Sequence, residues 1–161
     1  MASNTTFTAG AILTAAQMNN LPWGIVTATS GGTSGSGYVK LTTGDLTVTT
    51  STADLAGLSI TWTALANVIY KVSFFVTGTK QTAAGKVDIG VIGNAAAVQA
   101  TASQYVSASG GKFTLSGSVI MVPGAGSQIA KLNATAENNT ATISAVSGTP
   151  AFLMVEMIGT T

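Results

Sequence analysis

The side chains that could do chemistry are few and stand far apart along the chain. There is no histidine and no cysteine among the 161 residues, so the commonest general base and metal ligand and the thiol nucleophile are both missing. The carboxylates show neither the spacing of a calcium-binding loop nor that of a carboxylate-pair hydrolase; they are Asp45, Asp54, Asp88, Glu137 and Glu156. This pattern predicts no catalytic residue, no metal site and no cofactor.

Two further arrangements invite a chemical interpretation. Lys71 and Ser73 stand two residues apart, and on a strand they would share one face, as a serine–lysine dyad or simply as a polar stripe would. The run SGGTSGSG, residues 30–37, is rich in glycine but has neither the Lys-Ser/Thr pair of a phosphate loop nor a strand–turn–helix unit around it. We expect a polar stripe, a Gly/Ser linker or loop at 30–37, and no enzymatic activity.

The composition narrows the classes of partner. Only 7% of the residues are charged and 46% are hydrophobic, whereas an ordinary globular protein carries roughly 25% charged residues. The net charge of +1 comes from lysines without any arginine, so no basic patch is available for nucleic acid. No apolar run reaches the roughly 18 residues that span a bilayer, and no signal peptide is evident. We expect a protein that binds neither nucleic acid nor membrane and that associates readily with other proteins.

The elements that position these residues are strands. In LSITWT, residues 58–63, Leu58, Ile60 and Trp62 alternate with polar residues, as on a strand with one buried face. The same pattern predicts a first strand at 24–29 and further strands at 38–41, 46–50, 58–64, 69–77, 86–92, 98–107, 112–122, 129–135, 140–146 and 151–158. About ten short strands at such spacing predict an all-β fold, an antiparallel, jelly-roll-like β-sandwich over residues 38–161.

Two of these strands are apolar on both faces. VIYKVSFFV at 68–76 and AFLMVEM at 151–157 are almost continuously hydrophobic, and an ordinary half-buried strand needs only one such face. We expect the second face to pack against another copy of the chain, although an outer face rich in Ala and Met is the alternative. The predicted subunit interface consists of Ile69, Phe74, Phe75, Phe152, Leu153, Val155 and Met157.

Ahead of the strands, LTAAQM at 13–18 has the signature of a short helix. Thr14 and Gln17 have capping-box spacing, Leu13 and Met18 fall at hydrophobic-staple positions, and Pro22 ends the helix. So short a helix must dock on something, either its own sandwich or another protein. We interpret residues 1–29 as an attachment segment made of this helix and the first strand.

Three stretches carry a resemblance to a known family: FTAGAILTAAQMNNLPWGIV at the start, TADLAGLSITWTALANVIYKVSFFV in the middle and PAFLMVEMIG near the end. They resemble small virion structural proteins of tailed bacteriophages, particularly those of actinobacteria, of the minor tail, head-fibre or capsid-decoration type. The resemblance implies a homotrimeric β-sandwich knob on the virion, assembled in the cytoplasm of the host bacterium. The implied partners are phage capsid or tail proteins, reached through Phe7, Leu13, Thr14, Gln17, Met18, Leu21 and Trp23.

The position on the virion stays open at this stage. Without a long repetitive shaft, a capsid decoration or head fibre is favoured over a minor tail protein or the receptor-binding tip of a tail fibre. A carbohydrate-binding module that recognises a host surface glycan is an alternative of another class, and it requires an exposed aromatic platform. The candidate rings are Tyr38, Trp62, Tyr70 and Tyr105, of which Trp62 is in phase with the core positions.

Overall fold

Two antiparallel sheets pack face to face in the computed structural model of the chain, which describes residues 24–161. The strands are β1 (Gly24–Ile25), β2 (Ala28–Ser30), β3 (Tyr38–Leu41), β4 (Leu46–Val48), β5 (Ala53–Ala64), β6 (Val68–Lys80), β7 (Gly85–Ile92), β8 (Val98–Val106), β9 (Lys112–Met121), β10 (Gly126–Ala136), β11 (Ala141–Ser144) and β12 (Ala151–Thr160). Each of the strands predicted from residue 38 onward is present, with ends shifted by a few residues. The predicted N-terminal helix lies outside the described residues.

The pairing of the strands is that of a jelly roll. Strands pair from the ends of the chain inward: β3 with β12, β5 with β10, β6 with β9, and β7 with β8. The seven-stranded sheet contains β1, β3, β4, β6, β9, β11 and β12, and the five-stranded sheet contains β2, β5, β7, β8 and β10. The all-β antiparallel sandwich predicted from the sequence is therefore confirmed.

Between the sheets lies one continuous apolar core. Side chains point alternately inward and outward along each strand, so every second residue of β6, from Val68 to Val76, is buried. Trp62 of β5 packs against Tyr70 of β6 across the core, with ring centroids 5.6 Å apart. Both rings are almost fully buried, which confirms Trp62 as a core residue.

A bulge explains why β5 is longer than predicted. Leu55 and Leu58 both face the core although three positions separate them, and Gly57 between them has φ +79°. The register with β10 shifts at the same place. Between Asp54 and Ser59, β5 has three residues more than the facing part of β10. This odd number reverses the alternation, and a search for strict alternation starts the strand at Leu58 instead of Ala53.

The first predicted strand, 24–29, is in fact two short strands in different sheets. Gly24 and Ile25 pair with β12, whereas β2 pairs with β5 of the opposite sheet. Val26 lies at the crossing, where its N–H donates to the carbonyl of Val155 at 3.0 Å. The prediction of one continuous strand was wrong because alternation reports which face is buried but not which sheet a strand joins.

The Gly/Ser run at 30–37 forms a packed loop that contains a short 3-10 turn at Thr33–Gly35. The N–H of Gly37 donates to the carbonyl of Val26 at 2.6 Å, and the carbonyl of Gly37 accepts from the N–H of Val155 at 2.7 Å. A Cβ atom at Gly31 would lie 2.0 Å from the carbonyl oxygen of Ser59. These glycines permit close packing of the backbone, so residues 30–37 form a loop of the sandwich, the second of the two predicted alternatives.

Candidate functional site

The outward face of the seven-stranded sheet carries a row of half-buried aromatic rings. Phe75 of β6 lies opposite Phe152 of β12, and their rings stack with centroids 6.0 Å apart and an interplanar angle of 16°. The ring of Tyr38 on β3 packs on the other side of Phe152 at 5.9 Å. Met154 is two residues further along β12 and also points outward. We call these four residues, Tyr38, Phe75, Phe152 and Met154, the aromatic face.

The residues predicted for a subunit interface divide between the two faces of this sheet. Ile69, Phe75 and Phe152 point outward and are half-buried. Phe74, Leu153 and Val155 are at most 3% exposed and belong to the core of their own chain. The expectation that these three residues contact a neighbouring copy is therefore corrected, because no surface of theirs is left for a second chain. Met157 packs partly against the core, at the edge of a groove described below.

Few charges interrupt the outward face. Lys71 and Glu156 lie opposite each other, with Nζ and a carboxylate oxygen 3.9 Å apart, and an exposed pair of this kind contributes little to stability. The hydroxyl oxygens of Ser73 and Thr77 are buried beside the rings without a hydrogen-bond partner within residues 24–161. The exposed Lys40 of β3 also lies on this face, opposite Phe152, so the rings form an apolar patch that charged residues border.

The edges of the same sheet expose further aliphatic side chains that the sequence analysis did not single out. On β9, Ile120 is 55% exposed and Val122 just beyond the strand is 54% exposed. On the opposite edge, Ile25 of β1 is 48% exposed. Alternation in KFTLSGSVIMV could have identified Ile120 as an outward-facing residue, because Ile120 is out of phase with the inward-facing Phe113 and Leu115. Apolar groups therefore lie at both edges of the aromatic face.

The predicted attachment residues, Phe7, Leu13, Thr14, Gln17, Met18, Leu21 and Trp23, all lie outside the described residues. The described chain begins at Gly24, beside a groove of about 320 Å³ at one end of the sandwich. Its lining includes Val26, Leu65, Tyr70 and Met157, and the Tyr70 hydroxyl accepts a hydrogen bond from the Leu65 N–H at 2.9 Å. The described part of the chain therefore begins next to an apolar groove.

Each of the five carboxylates has a contact of its own. In chain order, Asp45 accepts from the Ala145 N–H, Asp54 pairs with Lys131, Asp88 pairs with Lys86, Glu137 accepts from the Lys86 N–H, and Glu156 pairs with Lys71. Within the described residues there is no group of three or more acidic, histidine or cysteine side chains placed to hold a metal ion. The Ser73 hydroxyl, which is unpartnered, makes no hydrogen bond to Lys71, so the dyad geometry is not formed.

Residues 24–161 contain no helix that is both long enough and apolar enough to cross a membrane. The strands account for nearly all of the regular structure in that part of the chain.

Comparison with known proteins identifies the fold. No family model and no curated protein matches this chain. Among solved structures, the chain is similar to the Eiger TNF from S. frugiperda, with 6% sequence identity over 77% of this chain and 93% of that one and a TM-score of 0.52. It is also similar to the globular domain of zebrafish complement 1qA protein, with 10% identity over 77% of this chain and 98% of that one and a TM-score of 0.45. The first of these likenesses concerns the fold alone, and it agrees with the jelly-roll pairing of the strands described above.

Proposed function

We propose that this chain is a non-enzymatic structural protein of a bacteriophage virion. It forms a homotrimeric knob anchored by its N-terminal segment, as a capsid decoration or head-fibre protein does. The three sequence stretches that resemble phage virion proteins support the virion role. The observation that carries the assembly is the aromatic face, which lies on the outside of an already complete sandwich.

The aromatic face favours another copy of the chain as its partner. Burial of apolar surface contributes about 25 cal/mol per Å², and the centres of interfaces are rich in aromatic residues and methionine and poor in charge. Tyr38, Phe75, Phe152 and Met154 have that composition. Of the charges on the same face, Lys71 and Glu156 form a pair, and Lys40 lies on β3 at the edge of the sheet. A chain with only 7% charged residues has little repulsion to oppose self-association.

The exposed edges favour a ring over a two-fold dimer. Ile120 lies on the β9 edge of the sheet and Ile25 on the β1 edge. If the β9 edge of one copy packs on the aromatic face of the next, the two contacting surfaces differ. Such heterologous contacts close into a ring when the rotation between successive copies closes, and otherwise form an open filament. For a compact knob we propose the ring, and three copies form the smallest ring that is not a dimer.

The contacts of the polar groups support a structural role. The carboxylates serve as partners of lysines or of backbone N–H groups, the Ser73 hydroxyl is buried beside Phe75 on β6, and the glycines at 31 and 37 pack against backbone. The carboxylates and the glycines thus have contacts within the sandwich itself, and none of these groups needs a catalytic explanation.

Native mass spectrometry and light scattering of the full chain test the assembly. We expect three times the 15.9 kDa mass of the chain, and a shift toward monomer in the Phe75→Ser variant. Tyr105→Ser is the matched control, because it removes a 66% exposed ring from the other sheet. A wild-type monomer at micromolar concentration would contradict the trimer.

Electron microscopy of purified particles tests the virion role separately. A label on this chain should decorate the capsid, and a label confined to the tail would identify the minor tail protein or fibre tip instead. Particles that lack the chain altogether would refute the virion role.

A further inference from the structure

A polar groove of about 270 Å³ lies on the outward face of the five-stranded sheet, across β7, β8 and β10. Its central residues are consecutive outward positions of these strands, since Asp88 lies opposite Ser103 on one side and opposite Thr135 on the other. Gly90 follows two residues later, opposite Thr101 and Asn133. We call this site the polar groove; it is independent of the aromatic face, which belongs to the other sheet.

The floor of the polar groove depends on Gly90. A Cβ atom at this position would lie 2.3 Å from the side-chain oxygen of Asn133, so any larger residue would displace the amide. Within residues 24–161, the side-chain amide of Asn133 has no hydrogen-bond partner. Its amide therefore offers both a donor and an acceptor above the glycine.

The carboxylate of Asp88 is held in place from two sides. The Ser103 hydroxyl donates to one carboxylate oxygen, and Lys86 Nζ lies 3.2 Å from the other. The Asp88 side chain is 27% exposed, so it remains accessible to a ligand. A carboxylate oxygen accepts more than one hydrogen bond, and Asp88 can therefore still accept from a ligand hydroxyl in a fixed direction.

The charge of the polar groove is balanced. Lys86 and Asp88 are its only charged lining residues within the described chain, and they form a pair. An anionic ligand such as a phosphate would meet the Asp88 carboxylate, and a cation would meet Lys86. The remaining polar lining consists of hydroxyl and amide groups, which suit a neutral ligand that has many hydroxyls.

An exposed aromatic ring stands beside these groups. Tyr105 lies opposite Lys86 and is one outward position along β8 from Ser103, and it is 66% exposed. A ring in this position offers an apolar surface to the C–H face of a sugar while the neighbouring groups bind its hydroxyls.

We infer that the polar groove is a binding site for a neutral saccharide, in which Asp88 and Asn133 bind ring hydroxyls and Tyr105 stacks on the sugar. This is a function beyond that of a structural knob, and it does not depend on the trimer. It would let the outward surface of the five-stranded sheet recognise a glycan-coated partner.

Saturation-transfer difference NMR on the full chain tests the site, with the methyl glycosides of glucose, galactose, mannose and N-acetylglucosamine as probes and glucose 6-phosphate as a charged comparison. We expect saturation of at least one neutral glycoside, strongest on the protons of one sugar face. Asp88→Asn should weaken binding about tenfold or more, since it removes a hydrogen bond to a charged acceptor. Tyr105→Ala should weaken it several-fold, and Gly90→Ala should abolish it.

Asp54→Asn is the matched control, because Asp54 also pairs with a lysine on the five-stranded sheet but does not line the polar groove. It should leave saccharide binding unchanged. Asp88 and Tyr105 are on the surface, so their variants remain informative if Gly90→Ala fails to fold. Saturation of none of the neutral glycosides, binding insensitive to Asp88→Asn, or an equal loss in Asp54→Asn would each overturn the inference.

Discussion

Two neighbouring residues of β12 should respond oppositely to the same substitution. Leu153 is 0% exposed in the core, whereas Phe152 points outward and contacts Tyr38 and Phe75. Truncating a buried leucine costs about 2–5 kcal/mol, and an unpaired buried carboxylate costs several kcal/mol more. The sum approaches the whole stability of a domain, about 5–15 kcal/mol, so Leu153→Asp should unfold the protomer.

Phe152→Asp should leave the protomer folded and separate the copies. The substitution removes two aromatic contacts of about 0.5–1.5 kcal/mol each, which the sandwich tolerates. In the trimer, it would place a carboxylate on every copy within an apolar contact, where an unpaired charge is strongly unfavourable.

Circular dichroism melting curves and light scattering on both variants distinguish these outcomes. We expect Leu153→Asp to lose its cooperative melting transition, and Phe152→Asp to retain it with the mass of a monomer. A folded Leu153→Asp protein would refute the placement of Leu153 in the core. A Phe152→Asp protein that stays trimeric would refute the aromatic face as the subunit contact.

Deleting residues 1–23 should change the melting temperature by only a few degrees while abolishing binding to phage particles in a co-sedimentation assay; a drop of many degrees would show instead that the segment stabilises the sandwich. Gly31→Ala should destabilise the fold by about 2–4 kcal/mol in urea unfolding, because Gly31 has a positive φ and a Cβ atom there would clash with backbone. Gly35 also has a positive φ but lies in open space, so Gly35→Ala should cost about 1–2 kcal/mol. Equal effects of the two substitutions would contradict the packed loop. Lys80→Met should lower the free energy of unfolding by about 1–3 kcal/mol, because the buried Nζ donates to the carbonyls of Asn138 and Thr140. In the same assay, Lys112→Met should be nearly neutral, because Lys112 is exposed.

Much of the fold could be predicted because burial on one face forces alternation. LSITWT has that alternation, and Leu58, Ile60 and Trp62 are all buried. The apolar run at 68–76 also predicts a strand. Because both of its faces are apolar, however, the sequence alone cannot separate inward-facing Phe74 from outward-facing Phe75. Only the register with β12 and β9 decides that assignment.

The polar groove could not be predicted for a different reason. Asp88, Ser103 and Asn133 are distant in sequence and meet only because β7 lies between β8 and β10. Gly90 in DIGVIG has no local signature, since its role is set by Asn133 on another strand. For the Gly/Ser run at 30–37, composition alone cannot decide between a linker and a loop, because glycine content does not distinguish a mobile backbone from a tightly packed one.

The crossing of the chain between the sheets at Val26 has a mechanical consequence. A force applied to the knob through its N-terminus acts first on Gly24 and Ile25, which are bonded to β12 of one sheet, and then on β2, which is bonded to β5 of the other. Val26 and Gly37 tie the crossing to Val155, in the middle of β12. A tether at this end therefore loads the two layers one after the other: β1 can leave β12 first, and the load reaches the second layer only through the crossing that Val155 holds in place.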